Sequence, residues 1–202
     1  MFVKRALGVL VVSVSSLVCI GCGDDTRTQP ELVPTSETEP TGSCSAVVRA
    51  YTGGSSEHFA ECTAIEYSTS PPVFGDHYPV WAAFKTYDFA VPLGYLVHDL
   101  EHGAVVLFYD CPEGCPDEVA AAQAFIDALP DDPRCASDVR VQVVLVPRPG
   151  LATRWAASAW GYSLNADCFD ADAFGQFYAD HHAQGREDLC SQGTAFTSDP
   201  CE

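Results

Sequence analysis

The chain has 202 residues, with 28 acidic against 10 basic side chains and a formal net charge of −18. A surface that acidic repels phosphate backbones and anionic headgroups, which excludes electrostatic binding of nucleic acid. The length suffices for one ordinary domain with a real core and is short for two.

Lys4 and Arg5 precede an apolar run from Ala6 to Ile20 that ends at Gly21-Cys22. Interrupted by Ser13, Ser15 and Ser16, the run has the length of a signal-peptide core and falls short of the roughly 20 apolar residues of a membrane-spanning helix. A small residue before a cysteine, followed by a polar stretch, is similar to the lipoprotein signal of bacteria. Residues 1–21 are therefore expected to be a removed leader and Cys22 to carry the lipid, with ordinary secretion as the alternative. The implied partner is the lipid bilayer, reached through Cys22. The implied location is the bacterial cell envelope, on its periplasmic or extracellular face. Residues 22–43 are rich in Thr, Pro, Glu, Ser and Asp and bury too little to offset the entropy of ordering, which predicts a flexible tether. Residues 44–202 remain as a single domain.

Beyond Cys19 and Cys22 the sequence holds Cys44, Cys62, Cys111, Cys115, Cys135, Cys168, Cys190 and Cys201. An even number in an exported chain predicts up to four disulfides, with about 105 full pairings open. Nearness along the chain favours Cys44 with Cys62 and Cys168 with Cys190, and Cys201 is placed to pin the tail.

In chain order, an irregular first half gives way to regular elements. Gly103 to Tyr109 is a continuous apolar run that predicts a buried strand. From Pro116 to Leu129, Val119, Ala122, Phe125, Ile126 and Leu129 recur at helical spacing, with Pro116 in the first turn and Pro130 beyond the end. Val139 to Val146 predicts a second strand and Trp155 to Leu164 a third. Asp170 to Gly185 predicts a second helix, with Phe174, Phe177, Tyr178 and His181 on one face and Gly185 capping its end. The fold class expected is α+β: a short, mostly antiparallel sheet covered by two helices, behind an irregular, disulfide-stapled amino-terminal half.

Two short stretches carry the chemistry. In Tyr67-Ser-Thr-Ser-Pro-Pro-Val-Phe-Gly-Asp-His-Tyr78 the paired prolines force extended backbone and Gly75 permits a turn, so that His77 leaves a rigid loop. In His98-Asp-Leu-Glu-His-Gly103, two helical turns from Gly94 would set His98 and His102 at i and i+4 on one face. Three of the chain's six histidines thus fall between residues 77 and 102. That density favours His77, His98 and His102 as metal ligands, with Glu101 as a ligand, an orienting group or a catalytic base. The competing reading is that the same groups only hydrogen-bond a turn-rich loop onto the sheet. His98-x-x-Glu-His102 also matches the inverted zinc-peptidase motif, but those enzymes need a sustained helix where Gly103 ends this one. His58 reads as a surface residue, His181 as a core histidine and His182 as a weaker candidate for a fourth ligand. Asp167, Asp170 and Asp172 lack calcium-loop spacing and read as helix-starting residues.

Met1 is the only methionine, so thioether-based copper sites are excluded. Three imidazoles with an optional carboxylate suit Zn²⁺ or Cu²⁺ as the cofactor.

Tyr67-x-Ser-x-Pro-Pro-x-x-Gly-x-His-Tyr78, His98-x-Leu-Glu-His-Gly103 and Ala159-Trp-Gly161 together resemble the signature of a bacterial family, domain-of-unknown-function family 3105, whose members are typically exported or membrane-anchored. The resemblance runs from about Ile65 to Asp188. It implies His77, His98, Glu101 and His102 as site residues and supplies no reaction.

A rival site is Cys111-x-x-x-Cys115 between the first strand and first helix, similar to the copper-chaperone branch of thioredoxin-like proteins. A cysteine at a helix amino terminus has a stabilised thiolate, which would suit thiol–disulfide exchange or copper transfer. The expected strand-helix-strand before it is missing. A metal-free envelope interaction module remains the third reading.

Overall fold

The apolar runs around residues 105 and 143 become the centre of the molecule because each can bury both faces. The computed structural model describes residues 26–202; the expected leader, residues 1–21, and Cys22, the expected lipid site, lie outside the described residues. The order is β1 (Arg27–Thr28), β2 (Ser36–Thr38), β3 (Ala46–Ala50), β4 (Ile65–Glu66), α1 (Leu93–Glu101), β5 (Val105–Tyr109), α2 (Pro116–Ala128), β6 (Val143–Pro147), β7 (Trp155–Ala159), β8 (Tyr162–Ala166) and α3 (Ala171–His181). A six-stranded sheet runs β2-β3-β8-β7-β5-β6, and β1 pairs with β4 separately. Only β5 and β6 are parallel within the large sheet, with α2 as the crossover between them. The architecture is α+β, with a mostly antiparallel sheet.

Strand periodicity sorts the core into two layers. Val105, Leu107, Val143, Leu145, Ala157 and Leu164 face one way, onto Ala122 and Ile126 of α2 and Phe174 and Phe177 of α3. Val106, Phe108, Val144, Val146 and Ala156 face the other way, onto Tyr95, Leu96 and Leu100 of α1 and onto Tyr78, Tyr87 and Val91 of the preceding loop. The two long helices therefore cover one face, while α1 and a long loop cover the face that carries the candidate chemistry.

Four sequence expectations change. The single strand expected over Trp155 to Leu164 is a hairpin, because Gly161 takes φ +81° and turns the chain between β7 and β8. The capping role expected of Gly185 is absent: α3 ends at His181, and Gly185 packs where a Cβ would come within 2.2 Å of the Glu101 carbonyl oxygen. The disulfides join Cys44 to Cys168, Cys62 to Cys201, Cys111 to Cys115 and Cys135 to Cys190. Neither Cys44–Cys62 nor Cys168–Cys190 forms, because β3 lies against β8 and so carries Cys44 to Cys168. Cys201 does pin the tail, onto Cys62. The stretch expected to be a tether contributes β1 and β2, whose main-chain pairing on strand edges needs few apolar side chains.

Candidate metal centre

Helix α1 presents the second motif. Leu96 and Leu100 pack toward the sheet while His98, Glu101 and the cap residue His102 share another side of the helix. Gly103, at φ +90°, ends the helix and turns the chain into β5. The segment after α3 then backs onto this end: the Ala183 N–H donates to the Gly103 carbonyl at 2.9 Å and the Glu187 N–H to that of Glu101 at 2.9 Å.

The first motif brings His77 to the same place. The Tyr67 hydroxyl donates to the Asp76 carbonyl at 2.7 Å and closes the loop, and Gly75, at φ +145°, leaves room for the Tyr67 ring. His77 in turn pairs with the strand-like segment at His58: its N–H donates to the Glu57 carbonyl at 3.0 Å and its carbonyl accepts from Phe59 at 2.8 Å. His58, His77, His98 and Glu101 each offer a donor atom, and these atoms all lie within 4.8 Å of one another. This His₃–Glu group can hold a metal ion.

The ring tautomers follow from the backbone. The Nδ1 of His77 lies 2.8 Å from the Gly75 carbonyl oxygen and that of His98 lies 2.6 Å from the Tyr78 carbonyl oxygen. A carbonyl only accepts, so both Nδ1 atoms carry a proton, which leaves each Nε2 as the atom that can face a metal ion. The His77 Nε2 is 3.0 Å from the Glu101 Oε2, yet it is buried and makes no hydrogen bond. The His58 Nε2 is 3.9 Å from the same oxygen. Burial pulls the His98 imidazole down to about 3, with His102, His77 and His58 adding in the same sense against the Tyr78 carbonyl. It is therefore neutral, the form that ligates a metal. Asp99, between the ligating positions, is fully buried, and burial pushes its carboxyl well above the usual carboxylate range.

Both histidine-bearing loops hang on Asp76. Its buried carboxylate accepts from Arg27 Nε at 2.7 Å, Gln29 Nε2 at 3.0 Å and the Glu57 N–H at 3.2 Å. Burial pulls this carboxyl upward, but the hydrogen bonds from Gln29 and Arg27 outweigh it and hold the group at about 2.

Of the residues singled out from sequence, His77, His98 and Glu101 fall inside the group and His102 stands at its edge. The His102 Nε2 is 3.2 Å from that of His98 and 3.3 Å from the Glu187 Oε2. The Trp81 ring lies against both imidazoles, with centroids 5.2 and 4.6 Å away. His58, read as a surface residue, is about half exposed and belongs to the group. Its separation from the other motifs hid it. His182 lies elsewhere, 3.3 Å from Asp132 and stacked on Tyr178, and His181 stacks on Tyr162. Cys111 and Cys115 are bonded to each other at the start of α2.

Fold and site together define an α+β domain with a group of three histidines and a glutamate, all buried but His58, that can hold a metal ion. The chain belongs to the family described as “Protein of unknown function (DUF3105)”, whose model matches residues 58–193. That span takes in all four members of the group, His58 being its first residue. No curated protein and no solved structure gives a significant match.

Proposed function

We propose that this chain is a cell-envelope protein that binds a divalent transition metal, Zn²⁺ or Cu²⁺, through His58, His77, His98 and Glu101. One observation carries the reading. The His77 Nε2 and the Glu101 carboxylate oxygen stand 3.0 Å apart and buried, and the His77 Nε2 makes no hydrogen bond. A bare imidazole nitrogen and a carboxylate oxygen at that distance repel unless a metal ion or a proton lies between them, and the proposed ion fills that place. With metal–nitrogen bonds of about 2.0 Å, adjacent ligands of a tetrahedral centre sit about 3.3 Å apart. The spacings of 3.0 Å for His77–Glu101 and 3.9 Å for His58–Glu101 bracket that value.

Three imidazoles and a carboxylate fit the borderline preferences of Zn²⁺ and Cu²⁺. Four protein donors leave no open position, so Glu101 acts as a ligand rather than a catalytic base, and the centre suits a structural or carrier role. His102 supports the His98 side from outside the donor set. The four disulfides support an oxidising compartment, and Gly21-Cys22 supports a lipid anchor to the bilayer there.

Elemental analysis of the purified protein beside His98→Ala and His102→Ala tests the site. Near-stoichiometric zinc or copper is expected, lost in His98→Ala and retained at weaker affinity in His102→Ala. A wild-type protein that stays metal-free after reconstitution with both ions overturns the reading. Incorporation of labelled fatty acid, abolished by Cys22→Ser, is the expected sign of the anchor.

A further inference from the structure

The Tyr67–Pro72 half of the first motif offers no atom to the histidine donor group. It forms one wall of a cavity of about 400 Å³ whose lining also includes Leu93, Arg148 and Leu151. Arg148 follows β6, and its main-chain N–H donates to the Tyr109 carbonyl at 2.7 Å. Arg148 is part-buried, and its guanidinium has no hydrogen-bond, ion-pair or ring partner among the described residues. Burial lowers its pKa, and no neighbouring acid offsets that. This is conspicuous in a chain where acids outnumber bases 28 to 10. A partly desolvated cation without a counter-ion is costly, so its retention at a cavity wall calls for a ligand that supplies the charge.

We propose that this cavity binds a small organic monocarboxylate, with Arg148 taking the carboxylate and the apolar wall taking the body of the molecule. The planar fork of a guanidinium matches a carboxylate through two parallel hydrogen bonds. Pro71, Pro72, Leu93 and Leu151 supply the apolar surface, and Thr69 supplies a hydroxyl at the same wall. One guanidinium balances one negative charge. The only acid in the lining is Glu66, which accepts a hydrogen bond from Thr28 at 3.4 Å and disfavours a dianion such as phosphate. The site is separate from the histidine centre: Leu93 and Glu101 lie at opposite ends of α1, about 12 Å apart along the helix axis.

Titration calorimetry of the full processed chain with hexanoate, benzoate, hexanamide and inorganic phosphate tests the proposal, beside Arg148→Gln. Saturable binding of at least one carboxylate is expected, with hexanamide and phosphate at least tenfold weaker. Arg148→Gln should weaken carboxylate binding at least tenfold while the far-ultraviolet circular dichroism is unchanged. Absence of carboxylate binding, binding of hexanamide as tight as hexanoate, phosphate binding in place of the carboxylates, or unchanged carboxylate affinity in a folded Arg148→Gln overturns it. The comparison of hexanoate with hexanamide on the wild-type chain decides the matter even if the variant does not fold.

Discussion

Asp76 is the residue on which the candidate centre hangs, although it offers no atom to the donor group. Its carboxylate gathers Arg27 and Gln29 from the β1 segment and the Glu57 N–H beside His58, while its own peptide leads into His77. Replacing it with Asn keeps the shape and removes the charge that these donors stabilise. Hydrogen bonds to a buried charged group contribute about 1.5–3 kcal/mol each, and Arg27 is partly exposed, so Asp76→Asn is expected to cost about 2 kcal/mol in urea unfolding. Metal affinity measured by chelator competition should fall with it, since both histidine loops lose their common anchor. Unchanged stability and affinity would show that the loops are held by their backbone pairing alone. Asp76 was invisible in the sequence because its partners lie up to 49 positions away. The motif histidines were legible because a helix and a rigid turn fix their directions locally. His58 was not, since only its pairing with His77 across the fold brings it in.

Among the elements, those with a strong period were readable and those defined by partners were not. The apolar spacing of α2 and the unbroken run of β5 match the sequence expectation within about two residues. The β2–β3 edge carries no such signal: its burial is partial, and its main evident role is to pair with β8. The α2 helix also shows how its first turn is fixed. Glu118 accepts from Arg154 Nε at 2.9 Å, Trp155 Nε1 at 2.6 Å and the Phe169 N–H at 3.2 Å, which joins the helix to β7 and to the approach to α3. Burial pulls the Glu118 carboxyl upward, but these hydrogen bonds outweigh it and hold the group below its usual range. A depressed folded pKa means that the contribution is complete above the unfolded value of about 4.3 and fades as pH falls through the folded one. Glu118→Gln should therefore destabilise the protein by about 1–2 kcal/mol at pH 7, discounted for partial exposure. The gap from wild type should narrow progressively below about pH 4 in thermal unfolding. A gap that stays constant down to pH 2 would mean that the carboxylate charge contributes nothing.

At the scale of the whole molecule the β1 segment and the carboxy-terminal tail both pack on the face that holds the histidines. Local spacing misled on the disulfides because the pairs Cys44–Cys168 and Cys62–Cys201 span 124 and 139 positions, joining segments that only the folded sheet brings together. The tail that Cys201 anchors runs past Trp81, whose Nε1 donates to the Ser191 carbonyl at 3.2 Å, and the Thr194 N–H donates back to Trp81 at 2.9 Å. Phe196 then packs on Tyr95 with ring centroids 4.6 Å apart. Trp81 is also the ring that lies against His98 and His102, so the tail holds the roof of the candidate centre. Opening Cys62–Cys201 frees a long loop, which chain entropy values at about 4–5 kcal/mol at most, less what the remaining crosslinks already constrain. The double variant Cys62→Ser, Cys201→Ser is expected to lower the melting temperature and to speed metal loss to a chelator severalfold, because Trp81 loses its backing. The variant Cys111→Ser, Cys115→Ser opens a short loop worth about 2 kcal/mol and touches no part of the histidine face, so it should leave the rate of metal loss unchanged. Equal acceleration in both variants would mean that metal retention follows global stability, and that the tail has no specific role in closing the centre.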